Sequence, residues 1–516
     1  MSREHIKAAL DNAKLLDDGE ECLDQFREPP DAPPDGAPSP DAPPDGADLL
    51  AGVVMSRAAV VEIAAHSQVA KPQKRAEPPA NPILTEEAAA IEFANRYGGH
   101  LRFDHDAGVW RRWTGAAWQE NKTGVAFHLA RELARELAGK DDKAKPTTAS
   151  TKFAKGVEQF ARADPVFATT SEYWDRDPMM LGTPGGVVDL RTGRLRRATS
   201  EDGITKLTPV APADKSDCPI WLRFLDEATG DDVGMVRFLK QFCGYSLTGD
   251  TREHALLFVF GPGGNGKSVF LNVLTGILGN YAKTATMDAF TASRTDRHTT
   301  EIAMLHGARL VTVSETEEGR QWAESRIKQL TGGDPISAHF MRQDNFTFRP
   351  QFKLAIVGNH MPSLQTVDEA HRRRFNLVPF TNKPATPDPA LEQKLKAEWP
   401  AILRWAIEGC LDWQAHRLVR PLSVVQATNE YFDDQDLFGQ WLADECDVEP
   451  GNPHKWETVA KLYESWNAYA NRAGEKPKTK KSFSAELQKK GFARKPVAKA
   501  RGFSGIRLKL QNGNDG

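Results

Sequence analysis

The stretch from His254 to Ser268, HALLFVFGPGGNGKS, constrains this chain more than any other. An apolar run ending at Phe260 meets a glycine-rich turn that closes on Lys267-Ser268, and the helical run VFLNVLTGIL follows. Buried strand, Gly261-x-x-x-x-Gly266-Lys267-Ser268 and helix, in that order, form the pattern of a phosphate-binding loop. Gly261, Gly263, Gly264 and Gly266, with Pro262 and Asn265 between them, let the backbone turn its N–H groups toward phosphate oxygens at the positive end of a helix. Lys267 supplies a point charge for the terminal phosphates. Ser268 offers a hydroxyl to Mg²⁺, which takes oxygen ligands and keeps some of its waters.

The rest of the chain has room for more than this one core. Its 516 residues correspond to about three domains by length alone. With 67 Lys and Arg against 70 Asp and Glu, the net charge is −3, so any nucleic-acid surface must be local. The five cysteines lie far apart with no C-x-x-C pair and no His at metal spacing, which predicts reduced thiols and no zinc module. No apolar run approaches the ~20 residues of a membrane span. The start, MSREHIKAAL, lacks the apolar centre of a secretory signal. The expectation is a cytoplasmic protein with no membrane partner.

Residues 29–47, PPDAPPDGAPSPDAPPDGA, hold nothing large enough to anchor a core and read as a disordered linker within a segment 1–83. Folded structure is expected from Leu84, with Thr85 capping the helix TEEAAAIEFANRY. LRFDHDAGVWRRWTGAAWQE then reads as two or three short strands whose tryptophans form a small core, and its Asp104-x-Asp106 pair as turn residues, not a metal dyad. Residues 126–139 space Leu129, Leu133 and Leu137 along an amphipathic helix ending at Gly139. MMLGTPGGVVDLRTGRL reads as strand, turn, strand, and residues 219–248 as helix leading to the loop.

Past the loop helix, ARLVTVS is a second buried strand ending in Glu315-Thr316-Glu317-Glu318. A carboxylate at the tip of such a strand holds Mg²⁺ through water, and a neighbouring Glu can orient the attacking water. A third strand, FKLAIVG, ends in Asn359, whose amide can contact both the terminal phosphate and that water. Between them, Lys328 lies on the helix AESRIKQLTGG, and ISAHFMRQDNFTF alternates as a hairpin bearing His339 and Arg342. Three consecutive arginines in DEAHRRRFNLVPF repel one another unless an anion meets them, as a finger reaching a neighbour's triphosphate would.

The ordered set GPGGNGKS, SETEE, KQLTGGDPISAHF, VGNHMP and RRRFNLVPF closely resembles the superfamily 3 helicase domain of phage and plasmid primase-helicases, a group that includes the poxvirus primase-helicase. The resemblance covers about residues 85–510 and implies an α/β fold: an AAA+-like P-loop ATPase core with a helical, small-sheet N-terminal domain and a C-terminal winged helix. It implies boundaries at 84–235 for the domain preceding the helicase, 236–384 for the ATPase, 385–430 for a helical lid and 431–510 for the winged helix. It further implies ATP and Mg²⁺ as cofactors, with Gly261 to Ser268 as Walker A and Ser268 and Glu315 toward the metal. Glu317 would be the helper acid, Asn359 the sensor, and Arg373 or Arg374 the finger. Lys328, His339 and Arg342 would face DNA. Thr316 interrupts the paired carboxylates common in relatives, so the roles of Glu315 and Glu317 stay open.

The tail carries its own signal. ETVAKLYESWNAYA puts Val459, Leu462, Tyr463 and Trp466 on one helical face, SFSAELQKKG follows as a second helix, and ARKPVAKARGFSGIRLKL alternates like a wing. From Lys476 to Lys509 about a dozen Lys and Arg face a single acid, Glu486, and Lys489, Lys490, Arg494 and Lys495 are the expected DNA contacts. The reading is an ATP-driven DNA helicase of phage, prophage or plasmid replication in a bacterial host. It would work as a homo-oligomeric ring, a hexamer, on single-stranded or forked DNA, with a primase or other replication factor supplied separately. The alternatives are a P-loop ATPase that remodels a nucleoprotein complex and a replication initiator switched by ATP.

Overall fold

A computed structural model of the chain describes residues 85–139, 145–292, 299–314, 319–340, 344–364, 368–475, 477, 479–497 and 500–509. The proline-rich segment, Glu315, Glu317 and Arg342 lie outside the described residues.

Helices Glu86–Tyr97, Val125–Ala138 and Thr151–Ala163 accompany a four-stranded sheet ordered Trp118–Glu120, Val109–Trp113, Leu101–Asp104, Ala168–Thr169. Thr85 caps the first helix by accepting from the Ala88 N–H at 3.1 Å. Phe93, Phe103, Trp110, Leu133, Phe153 and Phe167 form the core, so Trp110 packs inward as expected. Asp104 is fully buried and accepts from the Trp174 indole at 2.8 Å, the Ser171 hydroxyl at 3.1 Å and the Ala107 N–H at 3.1 Å. Its lone pairs are spent on its own turn and on the distant segment Ser171–Trp174, and the carboxylate is structural.

A three-stranded antiparallel sheet, Met180–Thr183, Gly186–Asp189 and Arg194–Arg196, leads to two helices, Pro219–Thr229 and Val233–Ser246. The single helical reading of 219–248 breaks at Gly230, which sits in the left-handed region at φ 66°.

The central sheet has five strands: β1 (Leu256–Phe260), β2 (Ala282–Thr284), β3 (Leu310–Ser314), β4 (Lys353–Gly358) and β5 (Phe375–Pro379). All neighbours pair in parallel, in the order β5-β1-β4-β3-β2. β1, β3, β4 and β5 are buried on both faces and need the near-continuous apolar runs that the sequence shows, whereas the edge strand β2, Ala-Lys-Thr, is largely exposed. Two buried basic side chains at the foot of the sheet tie it to the turn that ends helix Val233–Ser246. Arg309 donates to the Leu247 carbonyl at 2.6 Å and the Met180 carbonyl at 2.7 Å, and Lys353 donates to the carbonyls of Thr248 and, at 3.2 Å, Asp250. N–H donors there satisfy carbonyls left without partners where the helix ends. That helix crosses Trp399–His416 at Gly244 and Gly409, where backbone meets backbone.

Helices Leu437–Glu445, Val459–Arg472 and Lys480–Lys489 gather Trp441, Leu462, Trp466, Phe483 and Leu487 into a separate core. Three antiparallel strands in the order Trp456–Thr458, Ala500–Ser504, Ala493–Val497 close it through Phe503.

Candidate nucleotide site

β1 is buried along its length and delivers the chain to Gly261, where φ is 152° and an added Cβ would lie 1.9 Å from the Phe380 carbonyl oxygen. No side chain fits, so the turn requires glycine. The loop ends at Gly266, left-handed at φ 85°, which N-caps helix Lys267–Leu278 and lies flush against the Phe224 ring. Asn265 is buried, its amide donating to the Phe380 carbonyl. Lys267 is buried beneath the loop and donates to the Gly261 carbonyl at 2.8 Å and to Asn265 Oδ1 at 2.8 Å. Burial, with Lys383 nearby, lowers the Lys267 pKa from its ordinary value. An anionic ligand would oppose that shift.

A cavity of about 1060 Å³ opens beside the loop, lined by Ser268, Thr284, Thr312, Ser314, Asn359 and Glu392 among others. Thr284, Ser314 and Asn359 lie at the carboxyl ends of β2, β3 and β4, where open parallel sheets bind ligands. Ser314 immediately precedes Glu315 in the sequence. The loop residues Gly263 to Ser268 and Asn359 therefore meet at one cavity, and Ser268 is exposed to it. Thr284, Thr312 and Glu392 also line it, and the sequence reading missed them; no local pattern marks a threonine in a strand as cavity-facing. A second cavity of about 620 Å³ borders Gly264, Asn265 and Gly266 from the side of Phe224 and Leu391.

Arg373 and Arg374 are not brought to this cavity. The Leu256 N–H donates to the Arg374 carbonyl, at the start of β1, so the rest of that strand separates the arginines from Gly261. Four residue steps of strand make that at least about 13 Å. Arg373 is exposed and makes no side-chain hydrogen bond or ion pair among the described residues. Arg374 is half-buried and donates to the Ala370 carbonyl at 2.8 Å.

Lys328, on helix Glu324–Gly332, is bonded to Asp368 at 2.6 Å. Asp368 in turn caps the short helix that precedes the arginines and lies 2.9 Å from His371 Nδ1. His339 follows strand Ile336–Ala338, which pairs with Phe346–Phe348 as a hairpin. Phe340 beside it is 37% exposed and stacks on Phe346, an aromatic at the hairpin end that the sequence reading passed over. In the tail, Lys490 pairs with Asp436 at 2.6 Å, Lys495 donates to the Pro453 carbonyl at 2.8 Å and Lys489 lies 3.7 Å from Glu486, while Arg494 is exposed. Lys480 and Lys481, exposed at the start of helix Lys480–Lys489, make no ion pair among the described residues.

Residues 90–230 match the sequence family described as D5 N terminal like, and residues 259–374 match a family of unknown function, DUF5906. Residues 90–230 are thus similar to the D5 N-terminal family, and the match ends before the glycine-rich loop. A protein of Acanthamoeba polyphaga mimivirus named as a helicase is 25% identical over 332 residues, covering 59% of this chain and 34% of that protein. One of Frog virus 3 (isolate Goorha), also named as a helicase, is 24% identical over 259 residues, covering 46% of this chain and 27% of that protein. The chain thus spans about a third or less of these relatives. Among solved structures, the apo C terminal region of NrS-1 aligns over 82% of this chain and 99% of its own, at 12% identity and a TM-score of 0.46. No helix among the described residues is long and apolar enough to cross a membrane.

Proposed function

We propose that this chain hydrolyses ATP to drive a DNA helicase of ring form. The observation that carries the reading is the placement of Asn359. β4 is inserted between the phosphate-loop strand β1 and the acid-tipped strand β3, so its terminal amide meets the cavity between the two. That position suits a group that orients water against a terminal phosphate. Lys267 would offset charge on the phosphates, and Glu315 or Glu317 would hold and orient the water.

Among the described residues no three His, Cys, Asp or Glu side chains cluster as a metal site. Mg²⁺ needs no such cluster, because it binds through one or two protein oxygens together with phosphates and water. The exposed Ser268 hydroxyl fits that role, with Glu315 next along the chain from Ser314. Mg²⁺ bound there would neutralise charge on the phosphates.

Arg373, without an ion pair among the described residues and far from its own loop, suits a finger that completes the site of a neighbouring copy, which is the basis for the ring and for a hexamer. The hairpin with His339 and Phe340 suits contact with a single strand drawn through such a ring; Arg342, three residues on in the sequence from His339, is proposed for the same role. The tail, three helices and a three-stranded sheet, has winged-helix form, and its exposed Lys480, Lys481 and Arg494 suit DNA phosphates.

Steady-state ATP hydrolysis with and without single-stranded DNA, at low and moderate salt and with Lys267→Ala as the blank, tests this reading. Stimulation by DNA that weakens with salt and disappears in the variant is expected. Hydrolysis indifferent to DNA would refute translocation and favour remodelling of a nucleoprotein complex.

A further inference from the structure

We propose that the second cavity binds the nucleobase of the triphosphate and that helix Pro219–Thr229 reads it, an assignment that rests on the nucleotide reading above. The two cavities share Gly264, Asn265, Gly266 and Val269, so one ligand can lie across the loop with its phosphates on one side and its base on the other.

The chemistry of the walls differs in the way this division requires. The first cavity adds to the loop backbone the hydroxyls of Ser268, Thr284, Thr312 and Ser314 and the amide of Asn359, with Leu271 and Val357 as apolar members and no aromatic ring. The second has an apolar floor of Phe224, Ala228, Val269 and Leu391 and a polar rim. An aromatic and aliphatic floor stacks or covers a planar base, whereas it would only desolvate a phosphate. Phe224 is held in place: its ring lies 2.5 Å from where a Cβ of Gly266 would stand, so the glycine the loop needs for its turn also seats the floor of this cavity.

The rim also offers unspent polar groups. Arg223 and Glu227 stand one turn apart on the same helix, are both exposed, and make no hydrogen bond or ion pair among the described residues. Asp388, by contrast, is committed to Lys394 at 2.6 Å and closes the edge. The Glu227 carboxylate can accept from an exocyclic amino group, and Arg223 can donate to a ring nitrogen or carbonyl. The class of ligand is therefore a nucleobase bearing an exocyclic amine, as in ATP, GTP or CTP, with UTP disfavoured.

Binding of Mg²⁺-loaded ATP, UTP and inorganic tripolyphosphate to the full chain is the test, with Leu391→Trp filling the cavity and Glu227→Leu removing the rim acceptor. Wild type is expected to bind ATP roughly tenfold or more tightly than tripolyphosphate. Leu391→Trp should bring ATP down to the tripolyphosphate level while leaving tripolyphosphate unchanged. Glu227→Leu, on the exposed rim where folding is not at stake, should erase most of the preference for ATP over UTP. Equal wild-type affinity for ATP and tripolyphosphate would overturn the base site while leaving the phosphate loop intact, and so would an unchanged ATP preference in both variants. Wild type binding neither ligand would overturn the nucleotide reading itself. Loss of both ligands in Lys267→Ala alone would uphold it.

Discussion

Replacing Gly244 by alanine should damage the protein, whereas the same change at Gly156 should help it, although both glycines lie inside helices. At Gly244 the new Cβ would stand 2.0 Å from the Cys410 amide nitrogen and 2.4 Å from the Gly409 carbonyl carbon. Ordinary contact begins at 3.4 Å, and 3.4 less 2.0 leaves the two helices about 1.4 Å to move apart. Backbone cannot swing aside as a side-chain tip can. The overpacking penalty of about 1–3 kcal/mol therefore applies at its upper end and exceeds the gain of about 1 kcal/mol from helix propensity, for a net loss of about 2 kcal/mol. Gly156→Ala meets only the carboxyl end of Glu86, at 2.4 Å, which can rotate into solvent, so a gain of about 0.5–1 kcal/mol should survive. Urea unfolding, with hydrogen exchange assigning each transition to helix Val233–Ser246 or Thr151–Ala163, measures both. The two glycines lie in separate cores and should act independently. A neutral or stabilising Gly244→Ala would refute the backbone-to-backbone crossing.

Arg373→Ala should abolish DNA-stimulated hydrolysis while shifting stability by less than about 0.5 kcal/mol, because the exposed side chain makes no hydrogen bond or ion pair among the described residues; Arg374→Ala should instead lower the melting temperature. Burial holds the His371 imidazole below its ordinary pKa, despite Asp368 and Glu324 acting the other way and with Lys328 acting alongside. The unfolded chain therefore takes up a proton that the fold resists, and stability should fall as pH drops below about 6.5. Melting curves of His371→Gln should show a flatter acid limb; an unchanged limb would refute the assignment. A double-mutant cycle of Lys328→Met and Asp368→Asn should show coupling of about 0.5–1 kcal/mol, since the pair is partly buried, and additivity would refute a formed bond. Removing Lys480 and Lys481 together should reduce the salt slope of DNA binding by about 2, whereas Lys490→Ala, whose ammonium already serves Asp436, should leave it unchanged.

What the sequence determined by itself is whatever local chemistry dictates. The glycine spacing from Gly261 to Ser268 admits few backbone paths, unbroken apolar runs suit only strands buried on both faces, and Thr85 before an alanine-rich run announces its cap. Tertiary structure decided everything that depends on which strand lies beside which. Insertion of β4 between β1 and β3 brings Asn359 to the loop, and the pairing of β5 with β1 puts Arg373 at the far end of its own sheet. Partner choice among charges was equally invisible, since Lys328, Lys490 and Lys495 look like free cations in the chain and are each claimed by a group far along it. The seat of Phe224 against Gly266 joins residues on separate helices with a strand between them, and no periodicity within either segment encodes that contact. Short-range propensity fixes elements, but a site is a set of distances between them, and those are set by packing.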